Sequence, residues 1–207
     1  MSDSGQARSR IPRQRADALT DGLFAIVMTI LVLDLHLPAH ERYRNAKDLL
    51  GAIDGLEPQL IAYAISFFVV ASFWTAHVSL RSKAEFLPSS HVRWWMLYLF
   101  MMTLLPVATG IVGHFSHYAP AVWLYAGVML IASFTAWRMA ATYPERETAE
   151  DTETGFVKLA MVGLAAVVSC GISLVSSEYA MLAYILIAFT PFAMRLVRHR
   201  QARTSPG

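Results

Sequence analysis

The chain has 207 residues, of which 56% are hydrophobic and only 15% are charged. Soluble domains carry about 25% charged residues, so this composition, with a mean hydropathy of +0.44, excludes an ordinary soluble protein and indicates an integral membrane protein. The net charge of +2 does not indicate a nucleic-acid partner, and a single cysteine, Cys170, excludes an intrachain disulfide and a cysteine metal cluster.

Apolar stretches divide the chain into six predicted membrane spans. A bilayer core is crossed by roughly 20 mainly apolar helical residues. The stretches that meet this requirement are 19–36, 58–80, 94–113, 120–138, 156–175 and 179–197. The predicted fold is therefore all-α and polytopic, with one transmembrane domain over residues 15–197. Basic tails cover residues 1–14 and 198–207, and the acidic segment 144–155 is expected to be an exposed loop.

The positions of the basic residues predict the orientation. With six spans, both tails lie on one side, together with the second and fourth loops. That side holds 14 of the 17 lysines and arginines, and the other side holds only Arg42, Arg44 and Lys47. Because cytoplasmic loops are enriched in Lys and Arg, both termini are predicted to be cytoplasmic.

The first span carries a stripe of side chains on one helical face. Successive helix residues turn by about 100°, which places Ile26, Ile30 and Leu33 close together, with Thr29 at the edge of the stripe. Ordinary helix packing or lipid contact accounts for such a stripe. The alternative is a pore wall, in which apolar rings form a constriction and Thr29 offers oxygen to a partly dehydrated cation.

Polar residues cluster at the beginning of the same span. Asp21 could cap the helix while Arg15 extends to the headgroups. Alternatively, Asp21 pairs with Arg15 and with a donor from another span, for which His77 is the best candidate. Trp74 shares a face with His77, although an interfacial tryptophan needs no further explanation.

Other chemistry has little support in the sequence. The seven histidines form no HExxH pattern, no glycine-rich phosphate loop is present, and no nucleophile with a paired base is visible. We therefore expect no catalytic residue, no metal site and no cofactor. The aromatic pair Trp94 and Trp95, which opens the third span, is expected at the level of the lipid headgroups.

A family resemblance adds to this interpretation. Arg15, Leu19, Thr20 and Asp21, followed by GLFAIVMTILVLDL, resemble the RxxxFSD signature that opens the first span in the transmembrane protein 175 family of endosomal and lysosomal potassium channels and their shorter prokaryotic homologues. Leu19 replaces Phe and Thr20 replaces Ser. Further similar segments are Phe73-Trp74-x-x-His77 and Leu104 to Pro106.

The resemblance implies a homotetrameric channel for monovalent cations in which the first span of each subunit lines a central pore. It implies a hydrophobic gate at Ile26, a selectivity contribution from Thr29, and further constriction at Ile30 and Leu33. The residues that it assigns to a polar network bracing the pore helix are Arg15, Asp21, Trp74 and His77. Asp34, near the outer end, could concentrate cations at the mouth.

The expected function is passive, weakly to moderately potassium-selective conduction through a multi-pass protein of the lipid bilayer, in a prokaryotic cell membrane. Potassium is the permeant ion. A proton-coupled or other secondary transporter, with His77 and Asp21 as a proton relay, is the alternative.

Overall fold

The computed structural model describes residues 11–37, 44–80, 84–142 and 149–189, and this part of the chain is nearly all helical. The α-helices are α1 (Arg13–Ile30), α2 (Ala46–Asp54), α3 (Glu57–Ser79), α4 (Ser89–His114), α5 (Ala119–Ala141) and α6 (Ala149–Ser173). Two 3₁₀ segments, Leu31–Asp34 and Ala180–Phe189, follow α1 and α6. The predicted all-α membrane fold is confirmed.

Among the described residues, five helices are long and apolar enough to cross a membrane: α1 with its 3₁₀ extension, α3, α4, α5 and the part of α6 from Thr152. They correspond to the first five predicted spans. The predicted sixth span, 179–197, begins with the 3₁₀ segment Ala180–Phe189, and its remainder lies outside the described residues. The six-span count, the two basic tails and the cytoplasmic termini therefore stay predictions.

Residues 152–155 of the acidic segment before the fifth span differ from the expected exposed loop, and residues 143–148 lie outside the described part of the chain. Helix α6 begins at Ala149, and Thr152 is only 6% exposed. Acidic residues are favourable in the first turn of a helix, where the backbone amides are unpaired and the dipole is positive. Gly155 allows the close approach of this turn to the end of α3, since a Cβ at Gly155 would lie 2.5 Å from Leu80 Cγ. Composition alone does not reveal this packing.

Side-chain contacts define the direction of each helix. α1 runs parallel to α4, because Trp95 meets Thr20 near one end and Gly110 meets Asp34 near the other. α1 runs antiparallel to α3, since Trp74 contacts Asp21. A short backbone pairing between Ile11 and Leu87, 3.1 Å from N to O, places the beginning of α1 beside the α3–α4 connection.

The core combines small side chains with buried hydroxyl groups, as is usual where membrane helices pack closely. Ala126, Ala132 and Ala136 of α5 are buried. A chain of hydroxyls joins three helices: Ser66 on α3 lies 3.0 Å from the Tyr125 hydroxyl on α5 and 2.9 Å from Thr109 on α4. The core therefore lies among α3, α4, α5 and α6, and α1 packs against it with one face.

Candidate functional site

Helix α1 has a buried face that docks on the core. The buried side chains are Ala16, Thr20, Phe24 and Val27, followed by Leu31 in the 3₁₀ segment. Their spacing of three or four residues defines a single helical face. Phe24 also contacts the ring of Tyr98 on α4, with 6.1 Å between ring centroids. This packing fixes which side of α1 points away from the core.

The opposite face of α1 is the predicted pore stripe, and it is uncovered in the single chain. Ile26 is 58% exposed, Leu33 is 72% exposed, and Ile30 and Thr29 are also exposed. The Thr29 hydroxyl donates a hydrogen bond of 2.8 Å to the Ile26 carbonyl. Because its only proton is used within the helix, the lone pairs of the Thr29 oxygen remain available as acceptors. The stripe thus combines apolar side chains with one oxygen atom whose lone pairs can face a cation.

Asp21 is bound by α3. The indole Nε1 of Trp74 donates a hydrogen bond of 2.9 Å to Asp21 Oδ1. The structure brings these two predicted network residues together, and Trp74 is more than an interfacial ring. A charge-assisted bond of this length links the third turn of α1 to the C-terminal half of α3.

His77 and Arg15 do not take their predicted places at Asp21. His77 Nε2 lies 3.8 Å from Asp17 Oδ1, a distance too long for a hydrogen bond but short enough for an electrostatic contact. Asp17 also accepts a hydrogen bond of 3.2 Å from Arg13 Nε. Arg15 is exposed and takes part in neither contact. The acid that faces His77 is therefore one helical turn earlier than predicted.

Asp17 and Arg13 are members of this polar contact that sequence reasoning missed. Both lie on the same face of α1 as Asp21, at intervals of four residues, and this spacing was the available signal. His77 is buried and its ring stacks on Tyr98, with 6.3 Å between centroids. The position of this ring on the core explains why His77 reaches Asp17 rather than Asp21.

Trp95 contacts protein rather than lipid, since it is only 3% exposed. Its depth relative to the lipid headgroups stays a prediction. Its indole Nε1 donates a hydrogen bond of 2.9 Å to the Thr20 hydroxyl, which in turn donates to the Ala16 carbonyl at 2.9 Å. Thr20, the signature residue beside Asp21, therefore binds α4 while Asp21 binds α3.

Asp34 lies at the other end of the span and faces α4. A Cβ at Gly110 would lie 2.6 Å from Asp34 Oδ2, so the carboxylate rests on the α4 backbone. His114 Nδ1 is 3.7 Å from the same oxygen. The Asp34 side chain is 42% exposed, and it lies beside the Ile26 to Leu33 stripe rather than on it.

Within the described residues, no group of three or more His, Cys, Asp or Glu side chains could hold a metal ion. The features that the structure assembles are an exposed apolar stripe, a threonine oxygen and two interhelical polar anchors.

Comparisons with known proteins find similarity to one family. Residues 15–106, which include most of α1, all of α2 and α3 and most of α4, match the family model described as the endosomal/lysosomal potassium channel TMEM175. A protein of Chryseobacterium sp. (strain P1-3) named as a potassium channel is 32% identical over 124 residues, covering 59% of this chain and 60% of that protein. A protein of Streptomyces collinus named as a potassium channel is 26% identical over 185 residues, covering 84% of this chain and 88% of that protein.

The fold comparison agrees with these matches. The crystal structure of a lysosomal potassium-selective channel TMEM175 homolog from Chamaesiphon minutus is similar with a TM-score of 0.73 and 22% identity, covering 87% of this chain and 97% of that chain. The first of the sequence relatives is matched over only 60% of its own length. The matched segment contains Thr20 and Asp21 with both of their tryptophan partners, so the similarity to the TMEM175 family includes both contacts that hold α1.

Proposed function

We propose that the protein is a passive, potassium-preferring cation channel in which the exposed face of α1 lines the ion path. The observation that supports this proposal best is the division of α1 into two faces. One face docks on the core through Thr20, Phe24 and Val27. The other presents Ile26, Ile30 and Leu33, all exposed in the single chain. Relatives named as potassium channels support the ion.

The stripe would act as gate and filter. Ile26 and Ile30 lie about 6 Å apart along the helix axis, since each residue adds about 1.5 Å. Side chains from several copies would form an apolar constriction at each of these positions. Ions pass such a constriction only when it widens or fills with water, because a cation must otherwise lose part of its hydration shell. The Thr29 oxygen lies between them and compensates for part of that loss.

We propose a homotetramer around this stripe. One subunit offers one stripe, and enclosing an ion path takes several copies around an axis. Four copies of α1 facing inward would cover exposed apolar side chains such as Ile26 and Leu33. The names of the relatives do not mention an oligomeric state. The homotetramer is therefore supported by the fact that a single chain cannot enclose an ion path.

The polar anchors would hold α1 in this orientation. The bond from Trp74 to Asp21 ties α1 to α3, and the bond from Trp95 to Thr20 ties it to α4. Neither anchor lies on the stripe, so the charge of Asp21 braces the helix rather than binding the ion. Asp34, at the opposite end, would add negative charge near the mouth.

We propose that the protein resides in the cell membrane as a multi-pass protein with both tails in the cytoplasm. The family is one of ion channels, and the chain is not an enzyme. The path requires no cofactor, and the potassium ion is the cargo.

A secondary transporter is the second candidate, because buried His77 faces Asp17 at 3.8 Å and could exchange a proton with it. The position of the pair argues against this role. Transporter sites lie near the bilayer midplane, at broken helices. Asp17 lies in the first two turns of α1, which is unbroken from Arg13 to Ile30.

Flux through proteoliposomes tests the proposal. Purified protein should pass potassium down its gradient, without saturation and without coupled proton uptake, and should pass sodium less well. Empty liposomes and liposomes with the Ile26→Phe variant, which enlarges the apolar ring, are the controls. Saturable flux with proton movement would favour the transporter, and no flux above empty liposomes would contradict the channel.

A further inference from the structure

An arginine at the end of α5 rests on two aromatic rings. The guanidinium carbon of Arg138 lies 5.1 Å from the centroid of the Trp94 ring and 5.9 Å from that of Trp137. Trp94 in turn packs edge-on against Phe134, with 5.9 Å between centroids. None of the carboxylates in the described ranges forms an ion pair with Arg138. Among these residues, the aromatic rings orient the cation but do not neutralise its charge.

The surface around Arg138 is uncovered in the described part of the single chain. Phe134 and Trp137 are exposed, and α5 ends three residues beyond Arg138, at Ala141. A guanidinium one turn from the end of a span lies at the depth of the lipid headgroups, where tryptophan side chains are also favourable. Arg138 is therefore placed where lipid phosphates are found.

A groove continues from this cluster toward the membrane interior. It lies between α5 and α6, has a volume of about 400 Å³, and is lined by Ser133, Trp137, Phe156, Leu159, Ala160 and Gly163. Gly163 contributes no side chain to the groove, and an added Cβ would lie 3.9 Å from Ser133 Cβ, an ordinary contact distance. Ser133 is five residues before Arg138, about 7.5 Å deeper along the helix. Trp137 lines the groove and is also one of the two rings that contact Arg138.

We propose that this surface binds one anionic phospholipid, with its phosphate on Arg138 and part of an acyl chain in the groove. A guanidinium binds phosphate through paired, charge-assisted hydrogen bonds. The apolar walls of the groove suit a hydrocarbon chain. Because no carboxylate of the described residues neutralises Arg138, a headgroup with net negative charge is favoured over a zwitterionic one. Arg93, an exposed residue beside Trp94, is not part of the site. The site is separate from the stripe on α1 and does not depend on the proposed conduction.

Native mass spectrometry of the purified protein, titrated with phosphatidylglycerol and phosphatidylcholine of identical acyl chains, tests the site. The wild type should retain phosphatidylglycerol about tenfold more tightly than phosphatidylcholine. Arg138→Gln should lose most of that preference. Ala160→Phe, which fills the groove from an exposed position, should weaken binding of both lipids. Arg93→Gln is the matched control and should change binding less than twofold.

Two results would overturn the proposal. Equal losses in Arg138→Gln and Arg93→Gln would mean diffuse attraction to a basic surface. Unchanged lipid retention in Ala160→Phe would place no acyl chain in the groove, and a smaller oligomer on gel filtration of that variant would instead assign the groove to a second copy of the chain. If Arg138→Gln aggregates, lipid retention in Ala160→Phe alone decides whether the groove binds a lipid.

Discussion

The indole Nε1 of Trp95 donates a 2.9 Å hydrogen bond to the hydroxyl of Thr20, and both side chains are buried. The bond joins the second turn of α1 to the second turn of α4. Together with the contact of Asp34 on Gly110, it fixes α1 parallel to α4 at both ends. A helix held at two points along its length cannot rotate freely, so the direction of the Ile26 stripe is determined by these contacts.

Thr20→Val should destabilise the protein. Valine has nearly the shape of threonine but offers no acceptor, so the Trp95 N–H would be buried without a partner, at a cost of about 1–3 kcal/mol. The midpoint of thermal unfolding in detergent should fall. Thr20→Ser retains the hydroxyl and should lose much less. Thr29→Val is the exposed control, and an equal loss there would contradict a specific role of the Trp95 bond.

Asp21→Ala should impair assembly. The substitution removes the acceptor of the Trp74 N–H and loosens α1 from α3, so the stripes of neighbouring copies would no longer meet. Gel filtration should show loss of the tetramer. Asp21→Asn keeps one carbonyl oxygen and should retain part of the assembly, whereas Asp54→Ala, an exposed acid at the end of α2, should have no effect. An intact tetramer in Asp21→Ala would contradict a role of the Trp74–Asp21 hydrogen bond in assembly.

Gly110→Ala should disturb the 3₁₀ segment that follows α1. Its Cβ would lie 2.6 Å from Asp34 Oδ2, closer than van der Waals contact permits, and both backbones are helical. Gly127 is the matched control: it lies inside α5 with no atom within 4 Å of its added Cβ, so Gly127→Ala should be neutral or stabilising by about 0.5–1 kcal/mol.

Shortening the opposing side chain tests the same contact. Asp34→Ala in the Gly110→Ala background should recover most of the lost thermal stability, because the carboxylate that meets the new Cβ is gone. If the double variant is no more stable than Gly110→Ala alone, the Gly110 effect has another cause.

The sequence allowed prediction of the all-α membrane fold and of the exposed stripe, because apolar periodicity reflects burial and lipid contact directly. It also identified Asp21 and Trp74. It did not identify Asp17 as the partner of His77, since Arg13, Asp17 and Asp21 share one helical face and their axial match with α3 depends on how the helices are packed. Trp95 could not be distinguished from Trp94 as a buried ring, because adjacent tryptophans look alike until the orientation of α4 is known.

Ile26→Asn should raise potassium conductance and reduce discrimination against sodium. The asparagine side chain binds water in a constriction that is otherwise apolar. This lowers the free-energy barrier for a hydrated ion. Currents or liposome fluxes of both ions report the change, with Ile26→Val as the control that keeps an apolar ring. Unchanged fluxes in Ile26→Asn would mean that α1 does not line the path.

Thiol accessibility at the stripe tests the central claim most directly. In a Cys170→Ser background, which removes the single native cysteine, cysteine is placed at Ile26 or at Leu33, and a small, water-soluble, charged thiol reagent is added during potassium flux. Leu130→Cys, at an exposed position on α5, is the lipid-facing control. The account predicts block at Ile26 and Leu33 and none at Leu130; uninhibited flux in Ile26→Cys, with the thiol shown to be unmodified in the working protein, would contradict it.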